Sequence, residues 1–303
     1  MSKFDKIKTT VLITGASGFI GQALFSFLQA QGYSVYSLSR SVHLTSPYWD
    51  KQQQKIQLNG APNPDIIIHL AGLNIAQSRW SNKVKSALVE SRIRLTQHLV
   101  NHINHSPTPP SLFICASAIG FYGETGAHIA DEQSPQGTLF ISQLAAQWEQ
   151  TSQQITQPST RVVNLRTGIV LGAKQGVLAK MLVPFKMGLG GRLGSGKQMM
   201  SWIDLQDELN AILFIIKEQQ LTGPVNLVSP NAVSNDTFVK TLAHVVKRPC
   251  LLPLPTLMVK LLLAEMGEEL LLASTHVTPT KLLQAGFKFE CSTLEKSLKK
   301  QLT

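Results

Sequence analysis

Residues 15–21 read Gly15-Ala-Ser17-Gly18-Phe19-Ile20-Gly21, a G-x-x-G-x-x-G spacing directly after the apolar run Thr10-Val-Leu-Ile-Thr14. The first glycine permits a turn at positive φ, the second lets backbone approach a ligand closely, and the third lets a helix pack tightly on a strand. A helix opening at such a turn presents unpaired N–H groups and the positive end of its dipole. The chemistry expected is anion binding. The anion that suits this strand–turn–helix context is the pyrophosphate of a dinucleotide, held by Gly15, Ser17, Gly18, Phe19, Ile20 and Gly21. The next strand pattern ends Ser37-Leu-Ser39-Arg40. Sites for NAD usually carry Asp or Glu about twenty residues after the glycines, for the ribose 2′-OH. None is present here. Arg40 can instead pair with a 2′-phosphate, with Ser39 as a neutral donor, so NADP is expected and NAD remains open. The other reading of Arg40 is a solvated surface side chain.

Such a turn needs a sheet and covering helices. Ser34–Ser39 alternates as a strand, and Asp65–Ala71, Ser111–Ser117 and Arg161–Val170 also read as strands. Helical spacing marks Phe19–Gln31, Ser81–Asn104 and Leu139–Gln154 between them. Strands apolar throughout, alternating with helices, predict an α/β fold: a Rossmann-type, doubly wound parallel sheet covered on both faces. Beyond about Leu171 glycines crowd between Gly188 and Gly196, Asp207–Lys217 reads as helix and Val225–Val228 as strand. The expected division is a dinucleotide-binding domain over 1–170 and a smaller C-terminal substrate lobe over 171–303, partly interleaved with the main sheet.

The chain is 43% hydrophobic and 15% charged across 303 residues, which excludes a disordered polyelectrolyte. Lys and Arg number 28 against 18 Asp and Glu, a formal charge of +10. No helix-turn-helix, zinc-finger or RNA-binding signature accompanies the scattered cations, so an anionic small molecule is expected rather than nucleic acid. Cys115, Cys250 and Cys291 are odd in number and far apart, which suggests neither a disulfide framework nor a metal site. No signal-peptide pattern opens the chain, and a cytoplasmic setting is expected. Leu251–Ala273 is strongly apolar, but Pro253, Pro255, Lys260, Glu265, Glu268 and Glu269 interrupt it. It reads as loop plus a buried amphipathic helix, and no membrane partner is expected.

Taken in order, TGASGFIG, IIIHLAGLNIAQSRW at 66–80, CASAIGFYG at 115–123, RTGIVLG at 166–172 and GLGGRLGSGKQMMSWIDLQD at 188–207 resemble the extended, atypical branch of the short-chain dehydrogenase/reductase superfamily. The resemblance is to the "NAD-dependent epimerase/dehydratase", sugar-nucleotide epimerase-like group, and it covers nearly the whole chain. It implies that Leu70, Ala71 and Gly72 pass along the cofactor's ribose and diphosphate. It implies that Ser39 and Arg40 meet the adenosine phosphate, that Arg92 contacts the cofactor, and that Val170 lies near the nicotinamide. Alternatives stay open: a surface ion pair for Arg92, plain core for Val170. Where relatives often carry Glu after Leu-Ala-Gly, this chain has Leu73.

The resemblance also implies a Ser–Tyr–Lys catalytic set, with Tyr and Lys in Y-x-x-x-K. Ser117 matches the serine. Phe140 and Leu144 occupy the slots of the other two, and neither carries a proton. Tyr122 is the expected replacement, or else a pocket-lining side chain; Glu132 and His69 are outside candidates, His69 more plausibly a core residue. Two functional readings follow. One is an NADP-dependent oxidoreductase or epimerase-like enzyme on a small hydroxyl or carbonyl substrate, anionic and perhaps nucleotide-linked. The basic stretch Lys186–Lys197 would receive that substrate, and Trp202 and Asp204 would shape the pocket or else serve the fold. The other is a non-catalytic NADP-binding sensor or interaction protein, a reading that the missing Y-x-x-x-K favours and to which the resemblance adds only a weak link to cell or plastid division. A homodimer is left open.

Overall fold

The computed structural model describes residues 8–39, 45–50, 52–53 and 55–302. The glycine turn lies between β1 (Thr10–Thr14) and α1 (Phe19–Ala30), followed by β2 (Ser34–Leu38). A short antiparallel hairpin, β3 (Tyr48–Asp50) and β4 (Lys55–Gln57), comes next, then β5 (Ile66–His69), α2 (Asn82–Asn104) and β6 (Leu112–Ala118). After α3 (Phe140–Ser152) come β7 (Arg161–Thr167), β8 (Ile169–Leu171) and α4 (Gly176–Lys186). The remainder is β9 (Met199–Met200), β10 (Trp202–Asp204), α5 (Leu205–Lys217), β11 (Gly223–Leu227), β12 (Val233–Ser234), α6 (Asn235–Val245), α7 (Thr256–Gly267), α8 (Thr280–Gln284) and α9 (Leu294–Leu302).

The main sheet is six-stranded, in the order β11-β7-β6-β5-β1-β2. Register is parallel, with Leu12 beside Tyr36 on one side and Ile67 on the other, and Ile67 beside Phe113. The strand order therefore reverses at β1, and an open parallel sheet leaves a crevice beyond the strand ends at such a reversal. This is the Rossmann-type α/β fold expected from the sequence. The long strand read over 161–170 is interrupted, becoming β7 in the main sheet and β8 paired with β10.

Two compact units make up the chain, and neither is continuous. The first joins Met1–Gly72, Glu90–Ala116 and Trp148–Asn164; the second joins Leu73–Val89, Ser117–Gln147 and Leu165–Thr303. The boundary expected at residue 170 falls inside β8. In the first unit Leu12, Ile67 and Phe113 pack with Leu99 and Ile103 of α2 and Trp148 of α3. Burying each such side chain contributes roughly 1.5–3 kcal/mol. The second unit has separate clusters. One gathers Leu178, Leu182 and Phe185 of α4 with Trp202, Phe238 and Leu298. Another gathers Trp80, Leu88, Ile141, Leu144 and Met266.

Two elements depart from the sequence reading. The hairpin over 48–57 was not expected. The helix expected as buried within 251–273 is exposed over its first two turns, where only Val259 is fully covered. Its buried part begins at Leu263, beside a kink at Ala264 with φ +49°.

Candidate functional site

The first group of residues sits where β1 becomes α1. Gly15 has φ +73°, and an added Cβ would lie 2.8 Å from both the Ala71 nitrogen and the Leu70 carbonyl carbon. A Cβ on Gly21 would lie 2.2 Å from the Gly15 oxygen, so α1 presses directly on the turn. The turn closes through Gly18 N–H donating to Gly15 O at 2.9 Å. Gly18 is the N-cap of α1, with no side-chain cap and no acidic residue in the first turn. Ser17 and Gly18 are exposed, and Phe19 and Ile20 half-buried. A helix start without a capping oxygen, beside exposed backbone, is complementary to phosphate.

The second wall is the end of β5, held by a buried relay of hydrogen bonds. Thr96 Oγ1 donates to the Arg92 carbonyl (2.6 Å) and accepts from Trp148 Nε1 (2.9 Å). Its one proton is committed, so its 2.9 Å contact with His69 Nε2 makes that ring nitrogen the donor. His69 Nδ1 then accepts from Thr14 Oγ1 at 2.6 Å, and Thr14 Oγ1 accepts from Ala71 N–H at 3.3 Å. Burial first, and the Arg92 charge second, push the His69 pKa down to about 3, so the ring is neutral. His69 is thus a satisfied core residue that ties the ends of β1 and β5 to α2.

Arg92 lies over Gly72, where an added Cβ would come 3.3 Å from its guanidinium carbon. The guanidinium also faces the Trp148 ring at 5.1 Å. Burial lowers its pKa to about 10, which leaves it cationic at neutral pH. Gly15, Leu70, Ala71, Gly72 and Arg92 therefore converge, as the sequence reading requires. Ser39 follows β2 directly, one residue beyond Leu38, which pairs with Thr14. Its main chain is held by Pro47 and Trp49 at 2.9 Å each. Arg40 lies outside the described residues.

The residues read as catalytic belong to the second unit. Ser117 is buried near the end of β6. Tyr122 closes a single 3-10 turn, Ile119–Tyr122, and is also buried. Its hydroxyl donates to Asn226 Oδ1 at 2.7 Å and accepts from Arg166 Nη1 at 2.9 Å. The Arg166 guanidinium stacks 3.5 Å from the centre of the Phe121 ring. Burial pushes the Tyr122 pKa up to about 12, against the lowering effect of Arg166. Such a phenol keeps its proton at neutral pH; it can orient a neighbour but exchanges protons poorly. Glu132 accepts from the backbone N–H of Asn226 (3.1 Å) and of Lys281 (3.3 Å), and burial raises its pKa. Phe140 meets Trp80 edge-on at 5.1 Å and the Lys85 ammonium at 4.8 Å, while Leu144 is core. Val170 is half-buried in β8, paired with Ile203.

Trp202 and Asp204 serve the fold. Trp202 is fully buried, with Nε1 donating to the Asn231 carbonyl at 3.0 Å. Asp204 caps α5 by accepting from Gln206 N–H at 2.9 Å, and its other oxygen accepts from Ser297 Oγ (2.7 Å) and Gln301 Nε2 (3.0 Å) of α9. Sequence reasoning missed Arg166 and Glu208 as buried polar residues. Glu208 accepts a hydrogen bond from Thr167 Oγ1 at 3.0 Å, its Oε2 has no partner among the described residues, and burial lifts its pKa to about 8. Nothing local distinguishes it from the exposed acids common in a helix's first turn.

Comparison with known proteins places these features in a family. Residues 11–227 match the NAD dependent epimerase/dehydratase family, and residues 254–301 match a domain of unknown function, DUF1731. An epimerase family protein of Mycobacterium tuberculosis is 38% identical over 290 residues, covering 95% of this chain and 96% of that protein. The human epimerase family protein SDR39U1 is 32% identical over 292 residues, covering 95% and 98%. A crystal structure of human SDR39U1 with NADPH superimposes with a TM-score of 0.90 at 31% identity, covering 96% of this chain and 98% of that one. The chain is a member of the NAD dependent epimerase/dehydratase family.

Proposed function

We propose that the chain binds NADP(H) in the Gly15 cradle and acts as an oxidoreductase or epimerase-like enzyme on a small hydroxyl or carbonyl substrate. The observation that carries this reading is the convergence of an uncapped α1 N-terminus, the Leu70–Gly72 wall and the Arg92 cation. The glycines fit a diphosphate because side chains at Gly15 or Gly21 would fill the space the turn needs. Gly15, Ser17, Gly18, Phe19, Ile20 and Gly21 would hold the diphosphate, Ser39 and Arg40 the 2′-phosphate, and Leu70, Ala71, Gly72 and Arg92 the adjoining ribose and phosphate. Support for NADP(H) comes from human SDR39U1, whose structure contains NADPH. When bound, the nicotinamide supplies or accepts a hydride. In this reading Val170 lies near the ring and the Ser117 hydroxyl polarises the substrate oxygen. Tyr122 is better suited to positioning than to proton transfer, because its one proton is held by Asn226.

That same locked phenol favours a second reading, an NADP(H)-binding protein without turnover. The two readings separate in one assay: NADPH oxidation followed across a panel of carbonyl compounds and nucleotide-linked sugars, with binding measured in parallel. Turnover that Ser117→Ala reduces by about 10²-fold or more supports the enzyme. Tight binding with no turnover across the panel supports the binding protein.

A further inference from the structure

The second unit carries an apolar surface that neither the fold nor the proposed chemistry uses. Leu251, Leu252, Leu257, Met258, Leu261 and Leu262 are between 42% and 77% exposed. The last four stand on the first two turns of α7, at spacings that repeat after one helical turn. Val183, Met187 and Leu189 add to this surface. They come from the end of α4 and the loop after it, which runs against residues 248–254. Leu252 N–H donates to Gly190 O at 3.2 Å, Leu254 N–H to Arg192 O at 2.9 Å, and Arg248 Nε to Lys186 O at 3.0 Å. Scattered exposed leucines need no explanation, but nine large apolar side chains on two adjoining segments do.

The charges on the same two segments have one sign. Residues 180–192 and 247–262 contain Lys180, Lys186, Arg192, Lys247, Arg248 and Lys260, and no Asp or Glu. All six are exposed. Lys260 is paired from outside these segments, with Glu268 at 3.5 Å. A second copy of the chain fits this face poorly. A two-fold contact would bring two sets of six cations together with no carboxylate from either segment to neutralise them. Leucines flanked by cations, on a short helix lying at the surface, match an anionic lipid bilayer: the side chains enter the headgroup–acyl boundary while Lys and Arg meet the headgroups. Among the described residues no helix is long and apolar enough to cross a membrane, and this mode of binding needs none.

We infer that the first two turns of α7 and the adjoining 183–192 and 247–252 segments form a peripheral docking surface for anionic membrane lipid. The expectation of no membrane partner rested on the absence of a spanning segment, which does not bear on a surface helix. The test is co-sedimentation of the full chain with vesicles of two parts phosphatidylcholine to one part phosphatidylglycerol, and with phosphatidylcholine alone. Binding to the mixed vesicles should exceed that to the neutral ones by at least about tenfold and fall with added salt. Leu257→Glu with Leu261→Glu should abolish it while leaving the circular dichroism spectrum and thermal transition intact. Ile129→Glu, an exposed apolar position elsewhere, should bind like the parent. Absence of binding to the mixed vesicles overturns the inference. So does equal binding to both vesicle types, or binding that survives the double substitution. A dimer in light scattering that the double substitution dissociates also overturns it, and assigns the face to a second copy. An acidic protein partner would show as capture of acidic peptides without any vesicle binding, and overturns it as well.

Discussion

Glu208 sits in an environment far from what its type would suggest. Its folded pKa of about 8 lies above the ordinary 4.5, because burial disfavours the anion. The folded chain therefore holds this proton more tightly than the unfolded chain. Its contribution to stability is fully present below the unfolded value and is lost as pH rises through about 8, at up to about 1.4 kcal/mol per pH unit. Glu208→Gln, neutral at every pH, should flatten that part of the stability–pH curve; urea titrations between pH 6 and 9 would show it. His69 acts in the opposite direction. Its folded pKa of about 3 lies below 6.5, so stability it provides above 6.5 is lost on acidification, as the unfolded chain takes up the proton first. The buried setting of His69 is legible from its place in an apolar strand, but its partners Thr14 and Thr96, like Thr167 beside Glu208, are distant in sequence and are not. The role proposed for Arg40 rests on its spacing to the glycines alone, since it lies outside the described residues. Arg40→Ala should cost about ten- to a hundredfold in preference for NADPH over NADH, measured as a ratio of dissociation constants.

At the scale of elements, the strand–turn–helix that begins at Thr10 was readable because each part is locally encoded. β1 is apolar at its three central positions, the glycines are spaced for the turn, and α1 has helical periodicity. The prediction at this level is that Gly21→Ala separates α1 from the turn, since its Cβ would fall 2.2 Å from the Gly15 oxygen. Cofactor affinity should drop by more than about tenfold, with the thermal transition read alongside to register any loss of fold. The start of α5 gives a second prediction. Asp204→Ala removes the cap and leaves Ser297 and Gln301 of α9 without their acceptor. A loss of about 2–3 kcal/mol in denaturant unfolding is expected. What the sequence did not disclose at this level has a common cause. The hairpin strands over 48–57 are three residues each, too short for a periodicity to register. The leucines of α7 mark apolarity but not which neighbour covers them, and over the first two turns no neighbour among the described residues does.

At the scale of the whole molecule, the proposed function assigns cofactor binding and chemistry to different stretches of chain. In the proposed reading residues 15–21, 70–72 and Arg92 would form the cradle, and the glycine turn among them is readable as a motif in the sequence. The proton-handling residues were not. By the resemblance Phe140 and Leu144 fall in the Tyr and Lys slots, and the expected replacement, Tyr122, is bound on both sides by Asn226 and Arg166. The family gives the fold and the cofactor class; the reaction must come from assay. The central claim is that the Gly15 cradle takes NADP(H), and calorimetric titration of the purified chain with NADPH and NADH tests it most directly. The account predicts a dissociation constant for NADPH at least about tenfold below that for NADH, with both weakened in Gly21→Ala. Equal affinities, or NADPH binding that Gly21→Ala leaves unchanged in a folded protein, would contradict it.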